Sequence, residues 1–308
     1  MDWLIAAAAI VCVGLFGAST GRTRHATPAL ATRALMALSC IVAIAGNATL
    51  VVLALPLVGR SDLLADQARW SEAVFASGSA AGMGLSLLAT LALTVATLRV
   101  MLELKVQRRD RAAARQFRRE VGADYGDTVV ASLDGADALA LSSGVIVISR
   151  SVVSALKADE RRAVLEHERA HLNHRHHRYR EAAALLAAAN PLLQQLPEAV
   201  GYLVERWADE DAARATSRAT TATALEEVAR LAAGRHPERS LATMHSAAVG
   251  VPERLRALET EPTLRSWHRL IAPAVLAICI AAIAIGTAER TVDLFQLARA
   301  MSHVSGAH

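Results

Sequence analysis

His167-Glu168-Arg169-Ala170-His171 reads H-E-x-x-H. Two imidazoles four residues apart lie one turn apart on the same face of a helix and can share one metal ion, and the carboxylate between them, Glu168, is placed to polarise a water bound there. A catalytic zinc ion takes three protein ligands and keeps a fourth position open. Glu205-Arg206-Trp207-Ala208-Asp209 supplies a candidate for the third. On a second helix Glu205 could reach the metal, and Asp209, one turn further on the same face, could hold a ligand histidine by its other ring N–H. Glu210 and Asp211 compete for these two roles. Cysteine does not enter the site: Cys12, Cys40 and Cys279 all sit in uncharged apolar runs, where a free thiol behaves as a small hydrophobe. The ion must therefore be held by histidine and carboxylate. His174, His176 and His177 follow the motif at once, and such a cluster also suits a helix that faces lipid headgroups.

The elements needed to position these residues can be read from the periodicity. Residues 128–133 (TVVASL) and 145–149 (VIVIS) are short β-branched runs joined by a stretch with Gly and Ser, which reads as two strands forming a hairpin. From Asp159 the pattern is helical: Asp159 and Glu160 suit a helix N-terminus, and Ala163, Val164, Leu165 and Leu172 suit its buried side. Residues 182–197 are uncharged but contain Asn190, Pro191, Gln194 and Gln195. That is too short and too broken for a membrane span, and it reads as a buried helix or a hairpin at the membrane surface.

The rest of the chain is unlike an ordinary soluble domain. Of its 308 residues 53% are hydrophobic and 20% charged, and the apolar ones are gathered into long blocks. Residues 3–21, 34–59, 73–98 and 270–288 contain no Asp, Glu, Lys or Arg, and each is long enough to cross about 30 Å of hydrocarbon. Four transmembrane helices are expected, at about 3–21, 34–59, 73–102 and 270–288. The N-terminal run is preceded by Asp2 and followed by Arg22 and Arg24, which fits a retained helix better than a cleaved signal. Loops rich in Lys and Arg stay in the cytoplasm. Arg22, Arg24 and Arg33 mark the first loop as cytoplasmic, and the run from Lys105 through Arg108, Arg109, Arg111, Arg115, Arg118 and Arg119 does the same for the long segment 104–269. Both termini, including the short tail 289–308, then lie outside. The basic run sits beside an apolar block and lacks interleaved aromatics, so it reads as facing lipid headgroups, and no direct nucleic-acid binding is expected.

A helical HExxH followed, after a hydrophobic segment containing Asn-Pro, by ExxxD resembles the integral-membrane zinc metallopeptidases of the BlaR/MecR antirepressor family, and more distantly the HtpX-type membrane peptidases. The resemblance covers most of the chain, since three helices before a cytoplasmic peptidase domain and a fourth after it are the arrangement of that family. It implies a mainly α integral membrane protein of four transmembrane helices, with a cytoplasmic α+β zincin-like domain between the third and the fourth. It implies one Zn2+ per chain held by His167, His171 and Glu205, with Glu168 as general base and Asp209 behind a ligand. It also implies a protein substrate, such as a BlaI-like transcriptional repressor, paired with the VIVIS strand by β-augmentation. An HtpX-like quality-control protease and a non-catalytic membrane scaffold are the alternatives. The oxyanion-stabilising residue is open among His174, His177, Tyr179 and Arg214. The penicillin-binding domain of the BlaR/MecR sensors has no counterpart in the short tail, so β-lactam sensing is not expected. Ser154-Ala155-Leu156-Lys157 spells S-x-x-K, but it precedes the metal helix with no S-D-N or K-T-G beside it, and reads as coincidence.

Overall fold

The computed structural model describes residues 27–59, 80–121, 128–131, 138–233 and 250–260, with positions 293, 296, 297 and 300. The expected spans at 3–21 and 270–288 lie outside the described residues. The two middle ones are present as helices α1 (Pro28–Gly59) and α2 (Ala80–Val121), both long and apolar enough to cross a membrane. Pro28 opens α1, where its missing N–H costs nothing. The end expected near residue 102 is not a break. After Gly84 neither glycine nor proline interrupts the sequence, and Arg, Gln, Glu and Ala are strong helix formers, so α2 runs on for 42 residues through the basic stretch. Leu88, Leu91, Leu98, Met101 and Leu102 leave its apolar face exposed, as a lipid-facing surface would be.

The small sheet departs from the expected hairpin. Strands β1 (Thr128–Ala131), β2 (Ala138–Ala140) and β3 (Ile146–Ser149) are ordered β1-β3-β2, and β1 pairs with β3 in parallel, Val129 opposite Val147. The hairpin is instead β2–β3, antiparallel, with Leu139 opposite Val147. Its turn is set by Gly144 at φ +85°, a backbone state open to glycine without strain. Three residues of Ala-Leu-Ala carry no strand signal, which is why β2 escapes a reading based on β-branched runs. The consequence reaches the expected substrate strand: β3 is paired on both sides, so VIVIS cannot add a peptide. An edge strand is needed, and the one nearest the chemistry is β2.

Ser149 ends β3 and caps helix α3 (Arg150–Ala155), its Oγ accepting the Val152 N–H at 3.3 Å. Helix α4 (Ala158–Asn173) begins where Glu160 accepts the Lys157 N–H at 2.8 Å, and carries H-E-x-x-H. A sharp corner at Arg175, left-handed at φ 54°, leads into α5 (His176–Ala189). Residues 182–197 form the end of α5, a 3-10 turn at Pro191–Leu193 and the start of α6 (Leu196–Ala215). Asn190 makes that turn possible, its Oδ1 accepting the Leu192 N–H at 3.0 Å. Helices α7 (Arg218–Ala233) and α8 (Val251–Leu258) follow.

Two apolar clusters flank the helix pair α4 and α6. One joins α1 (Ala31, Leu35, Met36, Ala43) to Ala183 of α5 and Leu196, Val200, Leu203 and Val204 of α6. The other packs Ile146 and Ile148 of β3 and Val152 of α3 against Ala163 and Val164 of α4 and Ala224 of α7. At the first cluster Gly46 admits the α5–α6 turn, since a Cβ there would stand 2.8 Å from Asn190 Nδ2. Gly46→Val is expected to destabilise the detergent-solubilised protein by about 1–3 kcal/mol through overpacking, read as a lowered thermal midpoint.

Candidate metal centre

Helix α4 presents His167 and His171 on one face, their Nε2 atoms 3.2 Å apart. Helix α6, packed alongside, brings Glu205 over both: Oε2 is 3.4 Å from His167 Nε2 and Oε1 is 3.5 Å from His171 Nε2. Ligands placed tetrahedrally at about 2.0–2.2 Å from a zinc ion stand roughly 3.3–3.6 Å apart. The donor set and its spacing therefore fit zinc, and these three residues could hold it. Glu168, buried between them in sequence, accepts a hydrogen bond from the backbone of Ala140 on β2, so the edge strand and the carboxylate are in register.

Each histidine ring is held from behind. Asp209 Oδ1 is 3.0 Å from His167 Nδ1, and Arg254 of α8 grips that carboxylate with two hydrogen bonds of 2.7 Å each. The same guanidinium reaches Glu205 Oε2 at 3.1 Å, and Arg180 of α5 donates to Oε1. His171 has a different support: its Nδ1 is 2.8 Å from Nδ1 of His176, a residue 1% exposed whose other ring nitrogen is buried with no hydrogen-bond partner among the described residues. Trp207 and His174 wall in His176, and Arg33 of α1 lies 5.1 Å over the Trp207 ring.

The electrostatics follow from burial and from these pairs. Burial opposes charge on His167, but the carboxylates of Asp209 and Glu205 outweigh it and lift its pKa to about 10. For His171 burial wins over Glu205, and the pKa falls to about 3. Burial also lowers His176, to about 2. Burial pushes the Glu168 carboxyl up against the pull of His167. On Glu205 and Asp209 burial acts the same way and is overcome, chiefly by Arg254, so that both are held below the ordinary range, Asp209 at about 2.

All five residues singled out in the sequence, His167, Glu168, His171, Glu205 and Asp209, meet at this centre. Their competitors do not: Glu210 pairs with Arg218 at 2.6 Å, and Asp211 with His174 at 2.6 Å. Among the oxyanion candidates only His177 lines the cavity. His174 is taken by Asp211 and stacks on Trp207, Tyr179 packs toward the α1 cluster, and Arg214 pairs with Asp211 at the surface. Arg254, Arg180 and His176 were missed. In a chain this rich in arginine nothing marks two of them, and His176 was hidden among its neighbours. Ser154 of the S-x-x-K string donates to the Arg150 carbonyl of its own helix, and the Lys157 side chain is exposed.

The cavity around the centre is about 170 Å³. Ala138 and Ala140 of β2 form one wall and Leu225 and Val228 of α7 another, with Val164 and Leu172 between them.

Residues 102–197 match the model of peptidase family M48. This is a family of zinc metallopeptidases. The match supports a metallopeptidase; it begins within α2 and contains α4. It ends before Glu205, Asp209 and Arg254, whose place at the centre rests on the geometry. No curated protein and no solved structure matches the chain.

Two outcomes are expected from this network. Arg254→Met, which leaves the buried Asp209 without its guanidinium and Glu205 with Arg180 alone, should cost about 3–5 kcal/mol in the metal-free protein, measured by denaturant unfolding. Asp209 has an ordinary pKa of 3.8 and a folded one of about 2. Its stabilising contribution is thus complete above about pH 4 and lost as the pH falls toward 2, and the acid limb of a stability profile should flatten in Asp209→Asn.

Proposed function

We propose that the protein is a membrane-bound zinc endopeptidase, with His167, His171 and Glu205 holding one metal ion, Glu168 carrying the proton and Asp209 orienting His167. The observation that carries this is the spacing of the three donor atoms, 3.2–3.5 Å, with a buried carboxyl beside them, in a chain whose H-E-x-x-H lies inside an M48 match. When bound, zinc supplies a Lewis acid that polarises a carbonyl and brings the pKa of water to roughly 7.

The chain's own residues do the rest. Glu168, its pKa raised by burial, takes the proton of the attacking water and returns it to the leaving amine. Asp209, fixed by Arg254, keeps His167 in one ring orientation. His177 and Arg180, both lining the cavity, are the side chains available to the oxyanion. An extended polypeptide could lie along the edge of β2 away from β3, which no strand among the described residues covers and where the Ala140 backbone bonds Glu168, and the cavity sets the size of the side chain beside it. At about 170 Å³ it is smaller than the roughly 300–1,000 Å³ of sites for drug-sized molecules and close to the ~150 Å³ of a cavity that holds benzene, which suits one aliphatic or aromatic side chain.

The charge pattern supports a domain in the cytoplasm at the inner membrane, and the resemblance to antirepressors suggests a transcriptional repressor as substrate. An HtpX-like peptidase acting on damaged membrane proteins would use the same centre, and the M48 match is compatible with either. Zinc content and cleavage of casein by the detergent-purified protein test the chemistry. Wild type should hold one zinc and cleave; Glu168→Gln should keep zinc and lose about 10²–10⁴-fold in rate; Glu205→Ala should lose zinc. A wild-type protein that stays metal-free in excess zinc overturns the reading. Leu225→Trp, which fills the cavity, should selectively abolish cleavage before or after large apolar residues in a peptide mixture analysed by mass spectrometry.

A further inference from the structure

Beside the metal-centre cavity lies a second one, an open cleft of about 510 Å³ between α2, the first turns of α5 and the β2–β3 turn. Helix α2 is tied to both neighbours. Toward α5, Gln107 donates to the Glu181 carbonyl at 3.0 Å, and Arg111 donates to the Glu181 carboxylate at 2.6 and 2.9 Å. Toward the sheet, Arg118 donates to the Ser143 carbonyl. Arg111 and Arg118 are two turns apart on α2, and Arg115 lies on the same side between them. The cleft is the space these ties leave open.

Its charge is unbalanced. Arg111, Arg115 and Arg178 line it together with a single carboxylate, Glu181, which Arg111 engages. Arg115 makes no hydrogen bond or ion pair among the described residues, and Arg178 acts on Glu181 through its field alone. Two guanidiniums are therefore left facing one concave surface. Lone surface arginines are normally just solvated, but this cleft also holds an unsatisfied donor. The Ser143 Oγ is buried and has no hydrogen-bond partner among the described residues. Leaving such a hydroxyl unpaired costs about 1–3 kcal/mol, which an acceptor on a ligand would recover. Guanidinium forks with a hydroxyl donor beside them match an oxyanion, carboxylate or phosphate.

The source of that oxyanion follows from where the cleft sits. His177 lines both cavities, so the cleft adjoins the metal centre. Ala138 and Ala140 of β2 line the first cavity, and Ser142 and Ser143, next along the chain, line the second. A polypeptide laid along the open edge of β2 past Ala140, whose backbone bonds Glu168, runs on toward the cleft. At about 3.3 Å per residue Ser142 is roughly 7 Å beyond Ala140. A lipid phosphate fits less well. Arg111 and Arg115 follow Leu98, the last residue of the uncharged run, by 13 and 17 residues, about 20 and 26 Å along α2. The headgroup layer adds only roughly 5–8 Å to each face of the hydrocarbon, so even at a 40° tilt both arginines stand beyond it.

We propose that this cleft is an anion subsite for the polypeptide substrate, in which Arg115, Arg178 and the Ser143 hydroxyl hold the carboxylate or phosphate of a side chain about two to four residues to one side of the scissile bond. The proposal rests on the peptidase reading above. Substrates are then selected by an acidic or phosphorylated residue near an apolar one, the apolar side chain entering the cavity at the metal centre.

Cleavage of a peptide mixture by the zinc-loaded, detergent-purified protein, read by mass spectrometry, tests this. Wild type should favour Asp, Glu or phosphoserine over Gln or Lys at the subsite by roughly tenfold, the worth of one charge-assisted hydrogen bond. Arg115→Glu combined with Arg178→Glu should turn the preference toward Lys and Arg, and Arg115→Gln combined with Arg178→Gln should remove it without reversing it. Both positions are exposed on helices, so the fold should survive either pair of changes. A wild type without the preference, or a preference that survives charge reversal, overturns the subsite. If wild type cleaves nothing, it is the peptidase reading that fails, and fluorescence anisotropy still decides the anion site. A labelled Glu-rich peptide should bind the charge-reversed protein about tenfold more weakly at low salt, and equal binding overturns the site. If the reversal leaves the peptide's affinity alone and abolishes binding of short-chain phosphatidylglycerol, the oxyanion is a lipid's and the substrate assignment falls.

Discussion

Arg254 is the cation on which the centre depends. Glu205 and Asp209 are two buried carboxylates one turn apart on α6, and two anions so placed repel each other and lose their hydration. One guanidinium, itself 3% exposed, reaches both at 2.7–3.1 Å. With that charge in place Asp209 is free to orient His167, and Glu205 can face two imidazoles as an anion. Helix α8, short and remote in sequence, thus contributes one side chain to the site, 45 residues from Asp209 and 49 from Glu205.

The scaffold around this network is divided between two apolar clusters. The α1 cluster fixes the α6 side, which carries the carboxylates, and the cluster under the sheet fixes α4, which carries the histidines. The histidines and Glu205 meet only because both helices are held. A helix long and apolar enough to cross a membrane therefore forms part of the support of the centre. That coupling is physical: Arg33 over Trp207 and Gly46 against Asn190 leave little room for the helices to slide. The supports of the two histidines are unlike, a clamped carboxylate behind His167 and a neutral imidazole behind His171, and the second is made possible by the left-handed corner at Arg175 that turns α5 back under α4.

Much of this was legible beforehand because it is local. Four-residue spacing on a helix needs no tertiary information, so H-E-x-x-H and E-x-x-x-D could be read as faces, and uncharged runs of span length declare themselves by composition. What was misread involves pairing between distant segments. β1 and β3 look like a hairpin because both are β-branched and close in sequence, but the true partner of β3 in the hairpin is the Ala-Leu-Ala strand, which has no β signal and is held by its neighbours. VIVIS has no open edge for an added strand for the same reason: the most strand-like segment is the one most fully paired.

By itself the sequence determined which residue types could hold a metal, which helix faces carry them, and which segments prefer hydrocarbon, since each follows from periodicity and side-chain chemistry within a few turns. The tertiary structure alone decided which carboxylates reach the histidines, which of 11 histidines support a ligand and which arginine neutralises the anions. Those choices depend on Coulomb attraction and burial across tens of residues of chain, and neither quantity exists until the helices are packed.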